Sequence, residues 1–312
     1  QFTDEPLTKD EIKELMKATG VGMMECKKAI EEADGDKEKA ITLLREKGLA
    51  TQAKKSGRAA AEGIVTAIVD GNVGVLLEVN TETDFAANTD DIKNFVAAVA
   101  KTIIETNPAD VEDLKTKTIS GGTSTVGEVL TELAGMKIRE NIVIRRFERR
   151  EGVLASYIHN GGSIGVLVRM ETNLSADQVA EVGKNVAMQS AAMNASYLNR
   201  EAVPAEVLEN EKTIIMAQMA EDPKMASKPE QVRAKIAEGK VGKYYSENCL
   251  LEQTFVRSDL FEGTVAKYVA DAAKKLGGTI EVVECIRYER GEGVEKKADD
   301  FAAEVAAMAK GN

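Results

Sequence analysis

The chain has 312 residues, 43% hydrophobic and 30% charged, which is enough apolar material for about two globular domains. Its formal charge of −11 argues against the basic surface that broad nucleic-acid binding needs. It fits a protein that docks on a basic or mixed protein surface, and it fits solubility alone equally well.

With no Trp, six Tyr and seven Phe, the cores must be built from Val, Ile, Leu, Ala and Met. Cys26, Cys249 and Cys285 are far apart and form no CxxC pair, so neither a zinc site nor a disulfide framework is expected. No apolar run is long enough to span a membrane, no signal peptide is visible in the acidic, polar start, and the cytoplasm is the expected compartment.

Residues 8–48 read as three short helices. Thr8 and Glu11 form a capping box, and Ile12, Leu15, Met16 and Thr19 follow at helical spacing. Gly20 and Gly22 break the pattern, and Met23, Cys26, Ile30 and Ala33 resume it. Gly35 breaks it again. Asp36 then caps a third helix bearing Ala40, Leu43 and Leu44, with Gly48 expected as its C-cap. Residues 50–62 read as a linker or an exposed helix, with the basic cluster Lys54, Lys55 and Arg58 on a solvated face.

An internal repeat follows. Residues 63–69 lead through Asp70-Gly71-Asn72 into 73–79, and residues 152–158 lead through His159-Asn160-Gly161-Gly162 into 163–168. Both read as hairpins with Gly/Asn turns, and both second strands contain Gly-Val-Leu. A helix follows each: one carries Ile92, Phe95, Val96, Val99 and Ile103, the other a Ser175/Gln178 capping box with Val179, Val182 and Val186. Each half closes with a helix and a strand, at 141–148 and 283–289. The expected fold class is therefore α+β, two subdomains each with a three-stranded antiparallel sheet packed on helices. Arg145 and Arg146 are read first as the solvent side of their strand and second as a partner contact.

The second half carries an excursion between Met188 and Gly263. Pro204 opens a helix with Val207, Leu208, Ile214 and Ile215, Pro223 and Pro229 bracket a turn, and a helix with Val232 and Ile236 follows. This predicts a helical hairpin, a short antiparallel coiled coil in its most regular form. After Gly291 and Gly293, Asp299 and Asp300 cap a last amphipathic helix lined by Phe301, Val305 and Met308, which either folds back or docks on a partner.

The sets that carry covalent chemistry are missing. His159 is the only histidine, and there is no P-loop, dinucleotide fingerprint or calcium loop. A binding protein is favoured over an enzyme, with His159 or Cys26 the only footholds for the latter. The stretch that stands out is Asn80-Thr81-Glu82-Thr83-Asp84-Phe85-Ala86-Ala87, between a buried strand and the cap at Asn88, Thr89, Asp90 and Asp91. Either Asp84 caps the next segment and Phe85 plugs the fold, or Phe85 fills a partner pocket with Asp84 contacting polar groups beside it. At the equivalent place in the second half, Glu171-Thr172-Asn173-Leu174 has Asn and Leu in place of the acid and the aromatic, which favours a task belonging to the first half.

Three stretches carry a resemblance. They are Thr-Gly-Val-Gly-Met-Met-Glu-Cys-Lys-Lys-Ala at 19–29, the segment 78–85 with its Thr83-Asp84-Phe85 centre, and 286–293 continuing into Asp300-Phe301-Ala302-Ala303-Glu304. With the duplicated core, the chain resembles the elongation factor Ts family along essentially its whole length. The resemblance implies a UBA-like three-helix domain (4–50), a linker (51–62), a core N-subdomain (63–150), a core C-subdomain (151–290) with a coiled-coil hairpin inserted at about 200–262, and a C-terminal helical module (291–312).

It further implies a guanine-nucleotide exchange factor for EF-Tu that needs no cofactor or metal of its own. Thr83, Asp84, Phe85 and Ala86 would reach the nucleotide-binding domain and perturb its magnesium site. Gly20, Val21, Gly22, Met23, Met24, His159, Phe301, Val305 and Met308 are further partner-contact candidates. Family members usually have Val where this chain has Ala86. A homodimer and a heterotetramer with EF-Tu are both open, no direct nucleic-acid or membrane contact is expected, and the alternative is an interaction scaffold using the UBA-like module.

Overall fold

The structure, a computed structural model, describes residues 9–295. Thr8 of the expected capping box and Phe301, Val305 and Met308 of the expected terminal helix lie outside the described residues.

The described residues open with three helices, α1 (Lys9–Thr19), α2 (Met23–Glu32) and α3 (Lys37–Lys55). Asp36 caps α3 by accepting from the amides of Glu38 and Lys39. Leu15, Cys26, Ala29, Ile30, Ala40 and Leu44 close a small core, joined by Met136 from the body of the protein.

One expectation fails here: Gly48 does not end α3, which runs on to Lys55, so of the two readings of residues 50–62, linker or exposed helix, the helix holds as far as Lys55. Gly48 instead sits at a close approach inside the helix. Gly48 lies against Gly135 in the π-turn Leu133–Lys137, where a Cβ on Gly135 would fall 2.1 Å from the Gly48 carbonyl oxygen. Gly135 lets the two backbones meet, while Gly48 leaves room for the Met136 side chain, whose Cγ would lie 3.1 Å from a Cβ there, and forms no left-handed cap.

Among the described residues the body holds two antiparallel sheets. β1 (Glu62–Asp70), β2 (Val73–Thr81) and β3 (Val143–Glu151) form the first; β4 (Val153–His159), β5 (Ile164–Thr172) and β6 (Ile280–Glu289) form the second. Between β2 and β3 lie a single helical turn, α4 (Asp84–Ala87), then α5 (Asp90–Thr106), α6 (Val111–Thr116) and α7 (Val126–Glu132). α8 (Ala176–Met193) follows β5 with the expected Ser175/Gln178 capping box, and α12 (Val265–Leu276) precedes β6. Helices cover one face of each sheet and build separate cores around Val75, Leu77 and Val79 in one half and Val166, Val168 and Met170 in the other.

The other faces meet through Val65, Ala67, Leu76, Leu167 and Tyr288, and this contact explains the repeated Gly-Val-Leu. A Cβ on Gly74 would lie 2.8 Å from Leu167 Cδ1, and one on Gly165 would lie 3.0 Å from Leu76 Cδ1. Each copy's glycine makes room for the other copy's leucine, while the valine between them points to its own helices.

Both central pairings also carry a bulge at the same point of the repeat, between Glu78 and Val79 and between Arg169 and Met170. Glu78 pairs with Arg146 and Arg169 with Glu284, so the charges are exchanged between the halves. The bulge leaves Arg145 as the extra residue of β3, and both arginines reach Glu78, Arg145 Nη1 at 3.0 Å and Arg146 Nε at 2.7 Å.

Glu78 is fully buried, and its other oxygen accepts from Asn80 Nδ2 at 3.0 Å and from the Gly291 amide at 2.8 Å. Burial, the largest influence, pushes this carboxyl up, but the Gly291 amide, Asn80 and Arg146 together outweigh it and hold the carboxyl below its ordinary range. Arg146 also stacks on Tyr288 at 3.9 Å, and Arg145 donates to the Glu292 carbonyl. Arg145 and Arg146 are thus not a solvent face. They fasten the first sheet to the segment that leaves β6.

The excursion is a helical hairpin of α9 (Ala205–Glu221) and α11 (Glu230–Asn248), with one turn, α10 (Pro223–Ala226), between them. Pro204 and Pro229 stand at the caps and Pro223 at the first position of its turn, where a missing amide costs nothing. The apolar pair of α9 splits: Ile215 is buried with Met219, whereas Ile214 is exposed.

Candidate functional site

β2 ends at Thr81, opposite Glu62 of β1, and the chain then makes the single turn α4 before α5 begins. Asp84 and Phe85 therefore lie inside a helical turn of their own. Thr83 caps it, its Oγ1 accepting from the Ala86 amide at 3.2 Å. Thr81 Oγ1 donates to the Thr83 carbonyl at 2.7 Å. At the far end the Asn88 amide and Nδ2 donate to the Asp84 carbonyl at 3.1 and 2.9 Å, and Thr89 donates to the Ala86 carbonyl while capping α5. Ala86 and Ala87 are buried, and the turn packs on β1 and β2.

Asp84 is exposed, and Phe85 is 82% exposed, the most exposed large hydrophobic side chain among the described residues. The capping-and-plug alternative fails on both counts. Thr83 and Thr89 do the capping, and Ala86 and Ala87 fill the space beneath the turn. Ala86, expected at the partner surface, faces inward because the alanines are the residues small enough to seat the turn on the sheet.

Two carboxylates that sequence reading misses hold this loop. Glu140 accepts from the Thr83 amide at 3.0 Å with one oxygen and from Thr83 Oγ1 at 2.7 Å with the other. In return Glu82 accepts from the Asn141 amide at 2.9 Å, and Asn141 Nδ2 donates to the Ser56 and Arg58 carbonyls. The partners are nearly sixty positions apart in the chain, so no local pattern marks them. Thr83 and Thr89 are visible as hydroxyl residues three positions before the amides they cap.

The halves also differ in length at this point. Residues 82–88 separate Thr81 from the cap of α5, whereas only Asn173 and Leu174 separate Thr172 from the cap of α8. The second half thus has no counterpart of the turn, and Asn173 and Leu174 do not replace Asp84 and Phe85 residue for residue. Asn173 instead accepts from the Thr279 amide at 2.8 Å, a brace to the start of β6 that parallels Glu82 to Asn141.

The remaining candidates sit elsewhere. Gly20 has φ +69° beneath the Lys137 side chain, Val21 is buried in the three-helix core, and Gly22 caps α2. Met23 and Met24, at the start of α2, are 58% and 63% exposed. His159 ends β4 with Nδ1 3.1 Å from Tyr157 Oη. Its turn borders the start of β1, where the Gly162 carbonyl accepts from the Val65 amide, so it and α4 flank the same strand. Burial pushes the Cys26 thiol up, away from the thiolate a nucleophile needs. Among the described residues no three His, Cys, Asp or Glu side chains are placed to hold a metal, and no helix is long and apolar enough to cross a membrane.

The family model described as "Elongation factor TS" matches residues 82–292. The chain is 47% identical over 312 residues to an elongation factor Ts from Clostridium kluyveri, covering 98% of this chain and 99% of that protein. It is 46% identical over 309 residues to the one from Syntrophotalea carbinolica (97% and 99% covered). It is 44% identical over 308 residues to the one from Magnetococcus marinus (98% and 99% covered).

Proposed function

The chain belongs to the elongation factor Ts family, whose members are translation elongation factors, and on that premise we propose that it binds EF-Tu and promotes GDP release so that GTP can enter. The observation that carries this is Phe85, left uncovered on a turn fastened at both ends. A rigid aromatic of this kind gains apolar contact on a partner at little entropic cost. Thr83, Asp84 and Phe85 enter the nucleotide-binding domain of EF-Tu and disturb its magnesium site, with Ala86 seating the turn from below.

Exchange then follows from linkage. A factor that prefers nucleotide-free EF-Tu weakens nucleotide binding by the same ratio that nucleotide weakens the factor's binding. Magnesium neutralises phosphate charge, so displacing it raises the cost of holding GDP. This chain supplies shape and contact, with no metal, cofactor or covalent step of its own.

Met23 and Met24 at the start of a UBA-like module form a second contact, with Gly20, Val21 and Gly22 shaping the turn before them. His159 flanks the first contact, and Phe301, Val305 and Met308 belong to a third. In this reading the hairpin is a short coiled coil, the complex forms in the cytoplasm, and the factor acts as a homodimer or in a heterotetramer with EF-Tu. The test is GDP release from EF-Tu with Asp84→Ala/Phe85→Ala protein. Uncovering one docked aromatic is worth about 1.5–3 kcal/mol, so stimulation should fall roughly tenfold to a hundredfold. Undiminished stimulation would remove this loop from the mechanism.

A further inference from the structure

We propose that Glu140 is a positioning residue for exchange. Its carboxylate fixes the single turn α4 so that Phe85 is presented ready to dock. The inference rests on the reading that this turn enters EF-Tu.

A four-residue turn is too short to hold itself, because nucleation costs more than one turn of hydrogen bonds returns. Something outside it must fix its cap, and Glu140 does so with both oxygens on Thr83. The bond to Oγ1 has a second effect. By accepting the hydroxyl's hydrogen bond, Glu140 turns the oxygen's free lone pairs towards the Ala86 amide, which is the bond that caps the turn.

Glu140 is itself held in place. Its neighbour Asn141 is fastened through its backbone amide to Glu82 and through its side chain to the Ser56 and Arg58 carbonyls. The duplicated core supplies an internal control. Asn173 and Thr279 in the second half repeat the Glu82–Asn141 brace, which ties the end of one strand to the start of the next. Where α4 has no counterpart, no second brace matches Glu140 to Thr83 among the described residues. A contact needed only by the fold belongs in both halves; this one accompanies the turn that bears Phe85.

The experiment is a double-mutant cycle. Glu140→Ala, Phe85→Ala and the double variant are made in the full chain, and stimulated release of a fluorescent GDP analogue from EF-Tu is measured. Amide hydrogen exchange of residues 83–87 and the thermal midpoint are read on the same proteins.

Glu140→Ala should lower stimulation several-fold to tenfold and speed amide exchange in the turn, and it should cost less than twofold further in the Phe85→Ala background. Glu140→Gln, which keeps an acceptor for the Thr83 amide, should fall between. An equal loss in both backgrounds, or unchanged amide protection, would overturn the inference by showing that Glu140 acts through something other than the turn. If Phe85→Ala alone leaves stimulation intact, it is the docking reading that fails. Faster amide exchange in Glu140→Ala would then still show Glu140 bracing a turn that exchange does not use, which overturns its positioning role separately.

Discussion

Removing the Glu78 carboxylate tests how the halves are joined. Glu78→Ala strips one acceptor from four donors, Arg145, Arg146, Asn80 and the Gly291 amide, three of them contributed by segments remote from β2 or across the sheet. Breaking a buried ion pair from one side costs about 3–5 kcal/mol. Both arginines keep a carbonyl partner, at Glu292 and Glu289, and about a quarter of each side chain stays exposed, which places the loss near the lower figure. At about 2.1 cal/mol/K of unfolding entropy per residue over 312 residues, a loss of about 3 kcal/mol lowers the thermal midpoint by roughly 5 °C.

The pH dependence separates this cause from lost packing. A carboxyl held below its unfolded pKa contributes stability above that unfolded value, and the contribution is lost as pH falls through the folded one. The penalty of Glu78→Gln relative to the parent should therefore be full near neutral pH and shrink once pH drops below the ordinary glutamate value of 4.5. Paired denaturant titrations of both proteins across that range supply the measurement. A penalty that stays constant into acid, or a Gln variant as stable as the parent at neutral pH, would refute the assignment of Glu78 as a charged anchor.

Two further expectations follow from packing. Gly165→Ala places a Cβ 2.6 Å from Val65 Cγ1, and overpacking of this kind costs about 1–3 kcal/mol, of which stiffening of the unfolded chain returns about 0.4–1. Calorimetry should show a net loss that Val65→Ala partly relieves, and a stable single variant would show that the sheets separate freely. Burial pushes the Cys285 thiol up to about 11, against an ordinary 9.0. Two pKa units at pH 8 mean about a hundredfold less thiolate, so a chromogenic thiol reagent should label Cys285 far more slowly than a free thiol, and rapid labelling of the folded protein would contradict this.

What was legible in the sequence was whatever is encoded locally. The Gly/Asn turns gave both hairpins, the Ser175/Gln178 spacing gave the start of α8, and the prolines marked the start and the turn of the helical hairpin. The Gly-Val-Leu repeat was visible, but its reason was not, because each glycine answers to a leucine about ninety residues away. Gly48 misled for the same reason: a glycine near a plausible helix end looks like a cap until Gly135 is seen against it. Arg145 and Arg146 looked like a solvent face because alternation assumes a regular strand, and a bulge at Glu78 suspends it. At the site, Asp84 and Phe85 could be picked out, but the turn that holds them and Glu140 that braces it depend on a contact between distant segments.

These contacts divide the molecule into parts that fail differently. Glu78, Gly74 and Gly165 sit where the two sheets and the segment after β6 meet, so substitutions there act on the proposed exchange only through the stability of the whole body. Asp84 and Phe85 carry none of that load. The space beneath their turn is filled by Ala86 and Ala87, and the caps are made by Thr83 and Thr89. Truncating an exposed side chain away from caps and buried partners usually changes stability by no more than about 0.5 kcal/mol. The Asp84→Ala/Phe85→Ala protein should therefore melt with the parent, and in the proposed reading any loss of exchange it shows is a loss of contact with the partner. Glu140 lies between the two classes, spending its hydrogen bonds on the turn alone, which is why its effect has to be measured with Phe85 present and with Phe85 removed.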